Sequence, residues 1–516
     1  MSNAKTSKTN ANISAGNPLD LLTLRSSLGK GSYGTVFRAM TTGKEIYAAK
    51  VYDPEMMIGD FIGKKYPWHY EDNIFENFFQ EVFVYSKIGY NIPYVANIIS
   101  IGMGYIIFPE YKLGDLSSML AEDLQSSWKR IFYQICLGVR NLHHNNVVHL
   151  DLKPQNILFD EEMVPYICDL GSASFMPSED LKFEGIATDR CGTQIHQPPE
   201  ALIGDSSILS EAGLNKLSYH VDIWSLGTIL YKLVTGKLFV PPPQSLGMDK
   251  AGPLILGSAS AESLVTGIAG GGTTNMDILA SFSEEMHYGE FFEILEQSVH
   301  PGCEESMLVR LTKHNVVGAT EEELAKIADL LVEIFHPKPA NRPTILEVLN
   351  HELFEDLDEK YLGDVPPEPN SLEEYVIPNC SARTKCASYI SSMQVYERAK
   401  HLAMSIIDRY ILAIGPINAD NSPKFDVYMW AFSAMQLACM CFSEYFLSAF
   451  GKVAEQAVST NIGDIREMAI KIAKKLNLEI YDVTPYELTQ GTYPFSKYAD
   501  TGYVSGYTVR ELVDLQ

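Results

Sequence analysis

Between residues 20 and 52 apolar and polar positions alternate, in LLTLRSSLGKGSYGTVFRAM and then EIYAAKVY, with glycines between the runs. Alternation bounded by Gly is the pattern of strands that face a core on one side, so this region predicts hairpin-linked β-strands. At 74–88, IFENFFQEVFVYSKI returns apolar residues every three or four positions and predicts an amphipathic helix. VANIISIG (95–102) and YIIFPEY (105–111) predict further strands, and from 115 onward helical spacing dominates. Residues 241–275 carry Pro, Gly, Ala and Ser without an apolar period and read as a loop insertion. A second break falls at 352–374, with nine acidic residues, one basic residue and three prolines. Its core, 358–374, reads as a solvated, semi-rigid linker. Beyond it helices are predicted near 380–394, 397–413, 426–449, 452–458 and 463–476. The third is apolar nearly all round and therefore central in a bundle.

Composition narrows this picture. A chain of 516 residues is too long for one ordinary core and predicts two or three domains. With 46% hydrophobic and 20% charged residues it is globular in character. Forty basic against 65 acidic residues leave a net charge of −25, which disfavours nucleic acid and anionic membrane surfaces as partners. The uncharged run VYMWAFSAMQLACMCFS, 427–443, falls short of a comfortable membrane span and carries Ser, Gln and two Cys, so a buried helix is expected. The eight cysteines lack metal spacing. CMC at 439–441 is too tight for zinc, and buried free thiols in a reducing compartment are expected. Residues 1–18 are polar, lack the apolar core of a signal peptide and read as a disordered leader.

Candidate chemistry begins at GKGSYGTV, 29–36, where Gly29, Gly31 and Gly34 permit a tight strand–turn–strand loop whose backbone N–H groups can approach phosphate oxygens. A strand follows it, not a helix, which disfavours a dinucleotide-binding fold. Lys50 ends AAK on a predicted strand and can hold phosphates if a carboxylate pins it; Glu81 is the best candidate and Glu76 the alternative. HLDLKPQN (149–156) and ICDLGSAS (167–174) then place Asp151, Lys153, Asn156 and Asp169 at short spacing. Asn156 and Asp169 offer hard oxygen ligands to Mg²⁺, Asp151 can accept a hydroxyl proton, and Lys153 can neutralise charge on a moving phosphoryl group.

On these motifs, residues 20 to about 357 resemble the eukaryotic protein kinase family. CGTQIHQPPEAL (191–202) resembles the end of an activation segment, with Glu200 as its closing acid. DIWSLGTILYKLVTGKLF puts Asp222 where the family buries an aspartate, and Arg342 stands where the family's arginine pairs with the closing Glu. The resemblance further implies that Val36, Ala48 and Leu158 surround the adenine of ATP and that Glu110 to Lys112 form the hinge. Lys153 and the GT at 192–193 resemble the Ser/Thr branch. Departures are His196 for Tyr, Pro198 for Ala, and no arginine in QIHQPPE, so a proline-directed preference is not implied.

Leu150 is the sharpest departure. The family places there an arginine that grips a phosphorylated activation loop, and leucine cannot make that charge-assisted contact. The chemistry is expected to survive while that switch is lost, even if Ser172, Ser174, Ser178, Thr188 or Thr193 is phosphorylated. A pseudokinase scaffold that binds nucleotide without transfer is the alternative.

The tail resembles a single cyclin box over roughly 375–490, in AMSIIDRYIL, FSAMQLACMCFSEY and IREMAIKIAKKLNLEIYDVTPYEL. Arg383 and Asp408 stand where cyclins carry a buried pair between the first two helices. Cys441 and Ala469 stand where cyclins carry a lysine and a glutamate for the partner kinase, so both charges are missing. An anonymous helical bundle, or a substrate-docking module, is the plainer reading of the same residues.

The expectation is therefore an α+β bilobal protein kinase fold, with a β-rich N-lobe (19–111) and a helical C-lobe (112–357), followed by the linker and an all-α cyclin-like bundle (375–516). ATP and Mg²⁺ serve as cofactors and protein Ser/Thr hydroxyls as acceptors. The tail is expected to act in cis on the Glu81 helix, tethering supplying a high effective concentration. The arrangement is similar to kinase–cyclin proteins of large DNA viruses, which implies a cytoplasmic or nuclear setting in a host cell.

Overall fold

The computed structural model describes residues 22–30, 34–41, 43–52, 72–119, 124, 126–176, 196–198, 201, 218–239, 304–313, 316, 318–336, 339–357, 377–378, 380–393, 395, 397–415, 426–441, 462–478, 484 and 494–500. The leader, the 241–275 insertion and the 358–374 linker lie outside the described residues.

Three antiparallel strands open the fold: β1 (Leu22–Lys30), β2 (Thr35–Thr41) and β3 (Ile46–Val51). β4 (Ser100–Gly102) and β5 (Tyr105–Pro109) complete a five-stranded sheet in the order β1-β2-β3-β5-β4. Alternation decides its two faces. Ala39, Ala49, Val51, Tyr105 and Ile107 form a small apolar cluster on one side. Ala48, Ile106 and Phe108 turn the other way and join the main core, and Lys50 shares their face. Helix α1 (Asp72–Ile88) packs below that face, burying Phe78, Phe79, Val82 and Phe83.

Of the eight-residue strand expected at 95–102, only Ser100–Gly102 pairs as a strand. The preceding backbone turns toward another partner: Ala96 N–H donates to Ile167 O (2.8 Å) and Ile167 N–H to Tyr94 O (2.9 Å).

The second lobe is helical around α2 (Trp128–His144) and α3 (His220–Thr235), both buried along most of their length. Short strands accompany them: β6 (Gly114–Asp115) before α2, and β7 (Val147–Val148), β8 (Ile157–Phe159), β9 (Pro165–Ile167) and β10 (Ser174–Phe175) between α2 and α3. The β6-β8-β9 sheet and the β7–β10 pair hold the intervening loops in place. Helices α4 (Glu304–Lys313), α5 (Glu321–Ile334) and α6 (Ile345–Leu349) close the lobe. α5 and α6 each start with a reciprocal capping box, Thr320 with Glu323 and Thr344 with Glu347.

The tail contributes α7 (Ser381–Ser392), α8 (Glu397–Ile414), α9 (Asp426–Cys441), α10 (Ile462–Lys475) and the short α11 (Phe495–Asp500). α9 packs against α7, α8 and α10, as the all-round apolar run requires, and it also packs against α1. The apolar core is continuous from the first lobe into the tail. No helix among the described residues is long and apolar enough to cross a membrane. The helix expected at 452–458 lies outside the described residues.

Within the tail, Arg383 of α7 meets Asp408 of α8 in a two-pronged pair, Nε–Oδ1 at 2.7 Å and Nη2–Oδ2 at 3.2 Å, both side chains fully buried. The Tyr498 hydroxyl donates to Asp408 Oδ2 at 3.1 Å, so α11 is fastened to the same pair.

Candidate active site

The site lies where the five-stranded sheet, α1 and the loops around β7 to β9 converge. Lys50 leaves β3 and places Nζ 2.6 Å from Glu81 Oε2 of α1 and 2.6 Å from Asp169 Oδ1. One ammonium thus joins the upper sheet, the helix and the loop after β9. Burial lowers its pKa; the Asp169 and Glu81 carboxylates overrule that and raise Lys50 above its ordinary value. Burial raises the Glu81 carboxyl against the pull of Lys50. Burial would also raise Asp169, but Lys50, helped by Lys153, holds it below the usual carboxylate range. Glu81 takes Lys50; the side chain of the alternative, Glu76, lies outside the described residues.

The sequence reading missed a third partner of this pair. The Tyr52 hydroxyl donates to the same Glu81 oxygen, and the Lys50 ammonium lies 4.9 Å from the Tyr52 ring centre. Tyr52 follows Lys50 by two positions, so strand periodicity alone puts it on the same side; that was the signal available.

The 149–156 loop is fixed from behind. Asp222, at the start of α3, accepts from the backbone N–H of His149 (2.8 Å) and of Leu150 (3.0 Å), with His143 Nε2 at 2.9 Å. His149 is pinned as one tautomer. Its Nδ1 accepts from Asp151 N–H (3.2 Å), so Nε2–H donates to Cys168 O (3.0 Å), the residue before Asp169. Leu150 and Asp169 both have left-handed backbones, each with φ 64°. Such φ values are uncommon away from Gly and require surroundings that over-determine them.

Asp151 Oδ2 is 2.7 Å from Lys153 Nζ, and Asn156 Nδ2 donates to the Asp151 carbonyl at 2.8 Å. The Asn156 amide hydrogens face Asp151, which leaves Oδ1 as its atom for a cation. With the Asp169 carboxylate this is a pair of hard oxygen donors. Mg²⁺ takes few protein ligands and keeps waters and phosphate oxygens, so the pair fits it. Among the described residues no cluster of three or more His, Cys, Asp or Glu could hold a metal ion.

Val36, Ala48 and Leu158, which the resemblance put around the adenine, lie on β2, β3 and β8. Val36 pairs with Lys50, and Ala48 stands across β2 and β5 from Arg38 and Phe108. Leu158 sits on β8 opposite Asp115. Glu110 follows β5, where the hinge was expected, and its carboxylate is engaged by Arg38 Nε at 2.7 Å. Gly34 admits no side chain, since a Cβ would come 2.6 Å from the Val51 carbonyl oxygen. Gly29 has open space around it, and Gly31 lies outside the described residues.

Leu150 does not reach into the site. It is 3% exposed and packs with Val148, Ala201 and Val221, bordered by Met176 and Tyr219. Ser174, a candidate phosphate acceptor by sequence, is fully buried in β10 and inaccessible in this conformation. Ser178, Thr188, Thr193 and Glu200 lie outside the described residues, so the Glu200–Arg342 pairing does too. Arg342 itself donates to the carbonyls of His336 (2.9 Å) and His220 (3.2 Å). His196 is buried, with Nδ1 2.7 Å from Thr228 Oγ1.

A lysine held between two carboxylates, above an aspartate, lysine and asparagine on one rigid loop, defines a phosphoryl-transfer site of the protein kinase class. The protein kinase domain model matches residues 22–354. The chain belongs to the protein kinase family, and its relatives place it among the serine/threonine kinases. A probable serine/threonine-protein kinase of Dictyostelium discoideum is 32% identical over 231 residues, 42% of this chain and 14% of its own length. The cell division control protein 2 homolog D of Antirrhinum majus is 25% identical over 363 residues, covering 67% of this chain and 97% of its own. The chain spans only 14%, 31% and 39% of the length of the first three curated relatives it matches. A chain in the structure of the CAK complex from Chaetomium thermophilum bound to ATP-gamma-S is similar at a TM-score of 0.43 and 17% identity, covering 67% of this chain and 94% of that one. Nothing further rests on that likeness.

Proposed function

We propose that this chain transfers the γ-phosphoryl group of ATP to serine or threonine hydroxyls of proteins, with Mg²⁺, and that its cyclin-like tail regulates it in cis. The observation that carries the first part is the joint placement of Lys50, Glu81 and Asp169 with Asp151, Lys153 and Asn156. In this reading Lys50, held by Glu81 and Tyr52, binds the α- and β-phosphates. Val36, Ala48 and Leu158 enclose the base, the hinge backbone at Glu110 to Lys112 reads its edge, and the Gly29–Gly34 loop covers the phosphates. Asn156 and Asp169 would hold Mg²⁺, which when bound neutralises charge on the phosphates. Asp151 orients the acceptor hydroxyl and takes its proton as the oxygen bonds to the γ-phosphorus. The bond from that phosphorus to the β,γ-bridging oxygen breaks, and ADP leaves. Lys153, 2.7 Å from Asp151, balances charge on the phosphoryl group in flight. With these groups positioned, catalysis is positioning and electrostatics.

For the tail, the support is its helix order, the buried Arg383–Asp408 pair between its first two helices, and the seating of α9 on the Glu81 helix. The acidic linker would keep this contact intramolecular.

Transfer of radiolabelled phosphate from ATP to a protein acceptor, for the full chain against Asp151→Asn, tests the reading. The variant should lose at least 100-fold in kcat, the scale of a lost general base. Equal transfer by both would return the chain to a nucleotide-binding scaffold.

A further inference from the structure

Gln80 precedes Glu81 on α1 and is fully buried. Its side-chain nitrogen lies 2.5 Å from the carbonyl oxygen of Ala173 and 3.4 Å from that of Cys441. A carboxamide NH₂ has two hydrogens, and here each has its own acceptor. The acceptors come from two separate parts of the molecule. Ala173 lies four residues past Asp169, at the entry to β10. Cys441 lies on α9 of the tail, and its carbonyl faces Gln80 across the contact between α9 and α1.

We infer that Gln80 is a positioning residue that couples the tail helix α9 to the Lys50–Glu81–Asp169 constellation. Neighbouring residues on a helix are fixed about 100° apart. Any rotation of α1 that carries Glu81 away from Lys50 also withdraws Gln80 from Ala173 and Cys441. The two carbonyls therefore hold the helix in the orientation that completes the site. The tail supplies one of them through its backbone. This accounts for Cys441 standing where a charged side chain was missing, because the donor comes from the kinase side and no ion pair is needed. The coupling is neutral and buried, so salt should barely affect it.

The inference rests on the reading of the chain as an active kinase, and one experiment separates the two. In the full chain, Gln80→Met keeps length and apolar stem but removes both donors. Well below the melting temperature, kcat at saturating ATP and peptide should fall roughly tenfold, the consequence of losing about 1.4 kcal/mol of hydrogen bonding. KM for the peptide should stay within about twofold, since Gln80 is buried away from the acceptor. Hydrogen exchange should accelerate both in 72–88 and in 427–441. Gln80→Asn keeps the two hydrogens on a side chain one methylene too short to reach both carbonyls, so it should show the same pattern in weaker form. It also serves if the methionine variant fails to fold. Wild-type kcat in Gln80→Met, or in Gln80→Asn where that variant is the one read, would overturn the inference. A reduced kcat with unchanged exchange in 427–441 would overturn the coupling to the tail. A wild-type chain no more active than Asp151→Asn would overturn the functional reading and this inference with it.

Discussion

Leu150 offers the most direct test of how this catalytic loop is held. Its side chain is 3% exposed in a small cluster with Val148, Ala201 and Val221, and this cluster is separate from the main core. Truncating it to alanine removes the transfer free energy of the lost atoms and leaves a cavity, and buried Leu→Ala changes cost about 2–5 kcal/mol. The cluster is small and draws on a strand, the loop, Ala201 and α3, so partial collapse is available and about 3 kcal/mol is the expected cost. At about 2–4 °C per kcal/mol for a domain of this size, the melting temperature should fall by about 6–12 °C. Leu150→Met, which conserves volume, should cost under about 1.5 kcal/mol. The KM for ATP should be unchanged in both, because the loop backbone stays anchored by two bonds to Asp222. The assay is thermal unfolding followed by initial-rate kinetics at a temperature where every variant is folded. Leu150→Arg should also destabilise, since a guanidinium would replace an apolar side chain beside Val148 and Val221. An alanine variant as stable as wild type, or an arginine variant more active than it, would show that Leu150 is not an apolar anchor of the loop.

Three further outcomes follow from the same geometry. Tyr52→Phe removes one donor to the buried Glu81 carboxylate while keeping the ring, edge-on to Phe78 at 5.3 Å. A hydrogen bond to a charged group contributes about 1.5–3 kcal/mol, so kcat/KM for ATP should fall by about tenfold or more in steady-state assays. His196 has its pKa lowered to about 3 by burial, with Lys153 and Lys232 adding repulsion. Its neutral form is favoured in the fold, so the stability it contributes is fully present above the unfolded pKa of about 6.5 and is lost as pH falls from there toward 3. That amounts to about 2 kcal/mol by pH 5, and His196→Asn should flatten this part of the stability–pH curve in denaturant titrations. Asp408→Leu alone should cost about 3–5 kcal/mol by stranding the buried Arg383, while adding Arg383→Met should recover much of it; equal losses in single and double variants would refute that pairing as the source.

Where residues act through local spacing, the sequence was readable. Alternation put Lys50 on a strand, and the apolar spacing of 74–88 put Glu81 in the middle of a helix, where the structure pairs the two. Loop spacing alone brought Asp151, Lys153 and Asn156 together, because that loop is only a few residues long. The Arg383–Asp408 pair followed from resemblance and not from spacing. What escaped were contacts that depend on distant backbone. The 95–102 strand shrank because Ala96 donates to Ile167, some seventy residues away in sequence, a competition no local pattern records. Gln80 escaped for the same reason, since its two acceptors are carbonyls and carry no side-chain signature. His196 was noticed as a departure, but its burial against Thr228 was not. Thr228 donates to Ser225 O at 2.8 Å, so the imidazole Nδ1–H must be the donor to Thr228, which fixes the neutral tautomer.

The continuity of the apolar core bears on how the tail can work. One cluster runs from Tyr52 and Phe79 beside the Lys50–Glu81 pair, through α1, to Met435 and Cys441 of α9 and on to Ala473 of α10. A module that merely recruits substrate has no need to share a core with the helix that carries Glu81, and a contact confined to surface charges would be weakened by salt. Here the contact is apolar and amide-to-carbonyl. Excising the tail would expose the apolar surface of α1 beneath it and remove a hydrogen-bond acceptor from Gln80 at the same time. Loss of activity on truncation would then mix a destabilised lobe with any loss of the proposed regulation. Point substitutions at the seam separate the two effects, because an isosteric change at Gln80 leaves the apolar surface covered and alters only the hydrogen bonds that orient the helix.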